Sequence, residues 1–216
     1  MTVDNSKKHG IIFDMDGTLW DSAQNVAKSW DLVVQQEYPG HPHITEEAIQ
    51  RVMGLTMNQI ADSLFADLEP EERVRLLDQC CEAENEYLSI HGGVLYPEVE
   101  ETLQRLQEDY SLYIVSNCQS GYIEAFLEYY HFEQYFADIE CYGNHHKLKD
   151  YNIADVIRRN ELADAVYVGD IQGDYDAAVK AGAKFIHAAY GFGTIRQEVI
   201  KINHFSELPK AVQQIF

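Results

Sequence analysis

The sequence is poor in positive charge and has no apolar run long enough to cross a membrane. Its 216 residues include 16 lysines and arginines against 36 aspartates and glutamates, a formal net charge of −20. Without a basic stripe, the chain is not expected to bind nucleic acid or an anionic membrane. Residues 1–9 are polar and lack the apolar core of a secretion signal, so we expect a cytoplasmic protein.

Cysteine is scarce as well. The four cysteines, Cys80, Cys81, Cys118 and Cys141, show no C-x-x-C spacing, and the adjacent pair cannot easily bridge to itself. We therefore expect reduced thiols rather than a disulfide framework.

Carboxylates cluster directly after a short apolar run. Ile11-Ile12-Phe13 predicts a buried strand, and Asp14-Met15-Asp16-Gly17-Thr18 follows it. Asp14 and Asp16, two residues apart, would share a face of an ideal strand, and Gly17 permits a tight turn. Two carboxylates about 4 Å apart repel by about 4 kcal/mol at an effective dielectric of about 20. Such a pair calls for a cation, a shared proton or a catalytic role.

A second acidic cluster follows a second apolar run. Residues 165–168 read Ala-Val-Tyr-Val and are followed by Gly169, Asp170 and, four residues later, Asp174. In an open parallel sheet, ligands bind beyond the carboxyl ends of the strands. If the two strands are neighbours, their acids meet in one crevice. A site made only of oxygen ligands favours Mg²⁺ over Zn²⁺.

The pattern along the chain predicts two structural units. Residues 20–90 show helical periods without strands, which indicates four short helices. Strands and helices alternate afterwards, with predicted strands at 112–115, 139–142, 166–168 and, as the last strand, 185–188, and a short terminal helix within 200–216. Alternation of this kind predicts a parallel sheet covered on both faces. We assign residues 1–19 and 91–216 to this α/β unit and residues 20–90 to the helical unit.

Four sequence features in this order resemble the haloacid dehalogenase (HAD) superfamily, subfamily IA, in the group that contains phosphoglycolate phosphatase. The resemblance covers nearly the whole chain. Its features are residues 13–22 around Asp14-x-Asp16, residues 114–117 ending in Ser116-Asn117, Lys149, and Gly169-Asp170-x-x-x-Asp174. It implies a three-layer α/β/α Rossmann-like core with an all-α cap domain inserted after the first strand.

The resemblance also implies a role for each residue. Asp14 would be the nucleophile that forms an aspartyl phosphate, and Asp16 the general acid and base. Mg²⁺ would be bound by Asp14, Asp16 through its backbone carbonyl, and Asp170, and Asp174 would bind it through a water molecule or support the direct ligands. Phosphate-binding groups would be Ser116, Asn117, Gly17 and a lysine.

The lysine motif departs from the family pattern. The usual Lys-Pro-x-Pro-Asp is absent, and His145-His146-Lys147-Leu148-Lys149 stands in its place. Lys149 is favoured because Asp150 to Asn152 would then open the following helix. Lys147 remains the alternative. The two histidines are read as a solvated pair rather than metal ligands.

The predicted activity is hydrolysis of a small phosphorylated metabolite by a monomer or homodimer, with phosphoglycolate as the first candidate. The cap loop 54–57 offers Thr56 for substrate binding, where mutase-like members carry an arginine, and Arg51 lies one helical turn earlier. A beta-phosphoglucomutase-like mutase stays open. A receiver-like phospho-acceptor module is a further alternative, and Asp16 and the helical insert argue against it. A dehalogenase is disfavoured, because that branch lacks the second carboxylate.

Overall fold

The computed structural model describes residues 9–216. The expectation that the N-terminal segment carries no secretion signal rests mainly on residues 1–8, which lie outside the described part. In residues 9–216, no helix combines the length and apolar character that a membrane crossing needs.

A six-stranded parallel sheet forms the centre of the molecule, and a two-stranded antiparallel ribbon lies beside it. The strands in chain order are β1 (His9–Phe13), β2 (Trp20–Asp21), β3 (Val94–Leu95), β4 (Ser111–Ser116), β5 (Phe136–Cys141), β6 (Asp164–Gly169), β7 (Lys184–Ala188) and β8 (Ile200–Ile202). The large sheet has the order β5-β4-β1-β6-β7-β8, and β2 pairs with β3 in the ribbon.

Strand β1 is the point where the strand order reverses. Phe13 lies opposite Ile114 of β4 on one side and Val168 of β6 on the other. The chain builds the sheet outward from β1 through β4 and β5, and then from β6 outward on the other side. A crevice forms at the carboxyl ends of strands where the order reverses in this way. Asp14 is the first residue beyond β1 and therefore lies at this crevice.

Ten helices surround the strands in the described part of the chain. They are α1 (Ala23–Glu37), α2 (Glu46–Gln50), α3 (Met57–Leu64), α4 (Pro70–His91), α5 (Val99–Leu106), α6 (Tyr122–Tyr130), α7 (Tyr142–His145), α8 (Lys149–Arg159), α9 (Gln172–Ala181) and α10 (Leu208–Val212), the last preceded by a 3₁₀ turn at Phe205–Glu207.

The sheet is covered on both faces. Alternate residues of β1 belong to two separate apolar clusters, with Ile11 and Phe13 in one and Ile12 in the other. Helices α5, α6 and α10 contribute to the first cluster, and α8 and α9 to the second. Side chains of a strand alternate between faces, so both faces of the central strand are buried. The predicted three-layer α/β/α arrangement with a parallel sheet is confirmed.

Helices α1 to α4 form a helical unit between β2 and β3. Its apolar centre includes the Trp30 and Phe65 rings, which stack with centroids 6.1 Å apart. Thr45 begins α2 by accepting the Ala48 N–H at 3.2 Å, and Pro70 occupies the first turn of α4, where a missing N–H costs nothing. The exact division at residues 20 and 90 stays a prediction.

The C-terminal part differs from the expectation. The strand at 185–188 is not the last one, because β8 pairs with β7 through Ile186 and Ile200. The short terminal helix expected within 200–216 is present at Leu208–Val212. A three-residue strand carries almost no periodicity, so its pairing partner rather than its own sequence determines its conformation. The β2–β3 ribbon was missed for the same reason.

Candidate active site

The first acidic segment forms a tight turn at the end of β1. The Asp14 N–H still belongs to the sheet and donates to the Val168 carbonyl at 2.9 Å. The Met15 carbonyl then accepts the N–H groups of Thr18 and Leu19. Gly17 has a φ of 80°, and a Cβ on it would collide with the Asp170 carboxylate. The structure therefore explains Gly17 by backbone geometry and close approach.

Lys149 lies between two of the predicted acids. Its Nζ donates to Asp14 Oδ1 at 2.9 Å and to Asp174 Oδ1 at 2.6 Å, and all three side chains are buried. Lys149 is the first residue of α8, which directs its side chain at the ends of β1 and β6. Lys147 is exposed and its Nζ lies 5.6 Å from the centre of the Tyr151 ring. The geometry therefore favours Lys149 over Lys147.

Asp170 and Asp174 are fixed by backbone donors at the start of α9. Asp174 Oδ2 accepts the N–H groups of Asp170 at 3.1 Å and Ile171 at 3.2 Å. Asp170 Oδ2 accepts the Phe192 N–H at 2.7 Å. Both oxygens of Asp174 are thus engaged, one by Lys149 and one by backbone, whereas Asp170 keeps Oδ1 for another partner.

The three acids form a group that fits a hard divalent cation. One oxygen each from Asp14, Asp170 and Asp174 lies within 4.8 Å of the others, and all three residues are buried. Clustered carboxylate oxygens are the ligands that Mg²⁺ prefers. The hydrogen bonds of Asp174 make Asp14 and Asp170 the better direct ligands and leave Asp174 to orient its neighbours.

Two carboxyls of this group, Asp14 and Asp170, have pKa values above those of isolated carboxyls. Burial, reinforced by the charge of Asp174, raises the pKa of Asp14 to about 7, although Lys149 opposes the shift. Burial and the charges of Asp174 and Asp14 raise the pKa of Asp170 to about 8. Bound cations favour the ionised forms, so a divalent ion here would compete with protons.

Asp16 has different hydrogen-bond partners from the other three acids. Its Oδ1 accepts hydrogen bonds from Ser22 Oγ and Tyr122 Oη, both at 2.7 Å. Burial raises the pKa of Asp16 to about 6, and these two hydrogen bonds limit the rise. A carboxyl that titrates close to neutral pH is suited to donate and accept protons. The side chain of Asp16 is not part of the three-acid group, which agrees with a contribution through its carbonyl only.

A small cavity lies between the core and the helical unit. It offers about 50 Å³ to the centres of water molecules, several times the roughly 10–15 Å³ that one water needs. Asp14, Asp16, Ser116 and Asn117 line its core side. The helical unit supplies mostly apolar residues, which are Val26, Trp30, Ile49, Val52, Met53, Gly54, Leu55, Met57, Ile60 and Glu84.

The helical unit is held against the core beside this cavity. Asn117 Nδ2 donates to the Gly54 carbonyl at 2.9 Å, and Gly54 packs against Ile171. On the opposite side, Asn85 Nδ2 donates to the Ser120 carbonyl at 2.9 Å. The side-chain oxygen of Asn117 is buried and has no hydrogen-bond partner, which leaves an acceptor at the cavity.

Some predicted residues lie elsewhere. Thr56 does not line the cavity, and its hydroxyl and N–H both contact Gln59 Oε1 at 3.0 Å as the cap of α3. Substrate binding by Thr56 stays a prediction that this geometry does not support. Arg51 is exposed and its Nε donates to the Glu47 carbonyl. His145 and His146 are also exposed.

Sequence reasoning missed several residues of the site. The Ser22 side chain makes no helix-cap hydrogen bond, since Asp21 Oδ1 accepts the Ala23 N–H, and Ser22 donates to Asp16 instead. Tyr122 and Glu84 reach the cavity from α6 and α4, and no local pattern reveals such distant partners. Phe192 lies between Gly191 and Gly193, a pattern that by itself indicates only a turn.

Comparison with known proteins identifies the family. Residues 11–188 match the profile of the haloacid dehalogenase-like hydrolases. A phosphoglycolate phosphatase from Aliivibrio fischeri is 31% identical over 199 residues, covering 84% of each chain. Another from Vibrio parahaemolyticus is 29% identical with the same coverage. The chain belongs to the haloacid dehalogenase-like hydrolase family. It is an enzyme, and its relatives support the predicted phosphatase class.

Solved structures agree on the fold. A structure described as a predicted phosphoglycolate phosphatase from Haemophilus somnus superposes with a TM-score of 0.81 at 21% identity, covering 96% of this chain and all of the other. A haloacid dehalogenase-like hydrolase from Bacteroides fragilis gives 0.79 at 22% identity, covering 92% of this chain and 98% of the other. These similarities confirm the architecture.

Proposed function

We propose that this protein is a Mg²⁺-dependent phosphatase that hydrolyses a small phosphomonoester through a phosphorylated Asp14. The observation that carries the proposal is the position of Asp14. It is buried, bonded to Lys149 at 2.9 Å, grouped with Asp170, and open to a cavity that Asp16 also lines. Phosphoryl transfer requires mainly positioning and charge stabilisation, which this arrangement supplies.

The first half-reaction transfers the phosphoryl group to the protein. A carboxylate oxygen of Asp14 attacks phosphorus, and the bond from phosphorus to the alcohol oxygen breaks. Asp16 gives its proton to that leaving oxygen, so a neutral alcohol departs. Lys149, the Ser116 hydroxyl and the backbone N–H of Asn117 stabilise the negative charge on the transferring group.

The second half-reaction releases phosphate. Asp16, now ionised, takes a proton from a water molecule as its oxygen attacks phosphorus. The bond between phosphorus and Asp14 breaks, and both residues return to their starting forms. Ser22 and Tyr122 hold one oxygen of Asp16, which leaves the other for both proton transfers.

Mg²⁺ is the cofactor that the donor set fits best. Asp14 and Asp170 would hold it directly, with the Asp16 carbonyl, while Asp174 positions Asp170 and Lys149. Its contribution when bound is positive charge that offsets the repulsion between the nucleophile and the phosphate oxygens.

The helical unit provides the proposed cap domain. Its contacts at Gly54 and Asn85 enclose the cavity, which limits the organic part of the substrate to a few heavy atoms and excludes bulk water. A small phosphorylated metabolite of the cytoplasm would fit in this cavity. The names of the relatives make phosphoglycolate the first candidate to assay.

Phosphate release from small monoesters tests the proposal. We expect turnover that needs both Mg²⁺ and Asp14. In a single turnover in H₂¹⁸O, the heavy oxygen should enter the released phosphate and not the Asp14 carboxylate, because the water attacks phosphorus. Asp14→Asn removes the nucleophile with minimal change in size, and Asp176→Asn, an exposed acid on the same side of the sheet, serves as the matched control. Metal-independent turnover, or full activity of Asp14→Asn, contradicts the mechanism.

A further inference from the structure

The cap side of the cavity contains an acid where a carboxylate-bearing substrate would need a cation. Glu84 of α4 is buried and lines the cavity, facing the same space as Asp14 and Asp16. Among the described residues, the cavity lining includes no lysine, arginine or histidine. The lysine at the site, Lys149, is already shared between Asp14 and Asp174.

Within residues 9–216, no cation forms an ion pair with Glu84. Trp30 Nε1 donates to its Oε2, and the neutral Gln119 side chain lowers its pKa slightly against the effect of burial. Burial raises the pKa of Glu84 to about 8. A buried acid without a cation is costly to ionise, and a positively charged ligand group would remove that cost.

The walls around Glu84 suit a small cation. Trp30 and Tyr122 present aromatic rings, and Met53 and Met57 present polarisable thioethers. A ligand carboxylate in the same place would find no cationic partner among the described lining residues, and each of the three acids there would repel it when ionised.

From these contacts we propose that Glu84 determines specificity, and that the preferred substrate is a small phosphomonoester whose organic part carries a protonated amine. The proposal rests on the proposed phosphatase function. It places an ammonium group of the substrate beside Glu84, at the leaving-group end of the cavity. It also predicts a lower kcat/KM for phosphoglycolate than for esters of the same size whose organic part is uncharged.

Three two-carbon esters test this ranking, namely 2-aminoethyl phosphate, ethyl phosphate and phosphoglycolate. A charge-assisted hydrogen bond predicts that kcat/KM for the amine exceeds that for ethyl phosphate by about tenfold or more. Phosphoglycolate is expected to give the lowest value of the three. Each ratio is measured on one preparation, so the folded fraction of the protein cancels.

Glu84→Gln separates recognition from a purely structural role of the Trp30 contact. The amide retains size and an acceptor for Trp30, but it removes the charge. We expect the amine preference to disappear and phosphoglycolate to improve relative to ethyl phosphate. Glu86→Gln makes the same chemical change at an exposed position of α4 and should leave both ratios unchanged.

Two results would overturn the inference about Glu84 without contradicting the proposed phosphatase function. One is wild-type preference for phosphoglycolate over ethyl phosphate, and the other is an unchanged amine preference in Glu84→Gln. If the protein hydrolyses none of the three esters in an Asp14-dependent manner, the proposed phosphatase function is contradicted. The inference about Glu84 is then contradicted as well.

Discussion

At the scale of single residues, the site depends on one cation among several acids. Lys149 is bonded to Asp14 and Asp174, and its positive charge lowers the pKa of Asp14 against the effect of burial. Asp16 has no such cation and instead accepts hydrogen bonds from two neutral hydroxyl groups, those of Ser22 and Tyr122. The two carboxyls of the first motif therefore have different environments, as the proposed division into a nucleophile and an acid–base residue requires.

Replacement of Lys149 tests this arrangement. Lys149→Met leaves two buried acids without a cation, so we expect kcat to fall by about 100-fold or more, with a stability loss of about 3–5 kcal/mol before metal is added. Phosphate release and thermal unfolding measure the two effects. Lys147→Met, at an exposed position two residues earlier, is the control. Loss of activity in that variant with retention in Lys149→Met would transfer the role to Lys147.

At the scale of secondary-structure elements, the loop between α2 and α3 connects the helical unit with the core. Gly54 adopts a φ of 80°, its carbonyl accepts Asn117 Nδ2, and its Cα packs against Ile171. The loop closes one side of the cavity, whereas Asn85 of α4 contacts Ser120 on another side. Enclosure thus depends on a few polar contacts, which suits a cap that must open to exchange substrate and product.

Gly54→Ala probes this contact. A side chain in the left-handed region costs about 1–2 kcal/mol, and the added methyl group would also push against Ile171. We expect the loop to shift outward and kcat/KM to fall by about tenfold, because enclosure and positioning are both weakened. Gly40→Ala is the matched control, since nothing lies near a Cβ there. Equal kinetics for the two variants would argue against a role of the loop in closure.

The sequence predicted those elements whose signal is local. Ile11 to Phe13, the acids after it and the alternation of later strands were sufficient for the sheet and its crevice. Partners distant in sequence were not predictable, because Tyr122 meets Asp16 across 106 residues and Glu84 meets Trp30 across 54. Thr56 illustrates a second limit, because a polar residue in the loop before α3 has the same sequence signal whether it binds a ligand or begins the helix, as Thr56 does here.

At the scale of the whole molecule, buried acids couple stability to pH. Burial raises the pKa values of Asp14 to about 7, Asp16 to about 6, and Asp170 and Glu84 to about 8. Between the ordinary values near 4 and these raised values, the folded protein binds more protons than the unfolded chain. Its stability therefore decreases as the pH rises through that window.

Thermal unfolding of the metal-free protein at pH values from about 5 to about 8.5 measures the effect. We expect the Tm of the wild-type protein to fall across this range. The fall should be larger than that of the metal-free Asp170→Asn control, whose site has one acid fewer. Added Mg²⁺ should raise the wild-type Tm most at the alkaline end, where fewer protons compete for Asp14 and Asp170. A Tm that rises with pH in the absence of metal would contradict the raised pKa values.

The β2–β3 ribbon places the two ends of the helical unit side by side. Trp20 lies opposite Leu95, and Asp21 opposite Val94, so the chain leaves and re-enters the core at adjacent points. Paired strands bring such points to within about 5 Å, a gap that a tight turn can bridge. We therefore expect that the segment between Asp21 and Val94 can be exchanged for another of different length while the sheet and the acids at its edge stay in place.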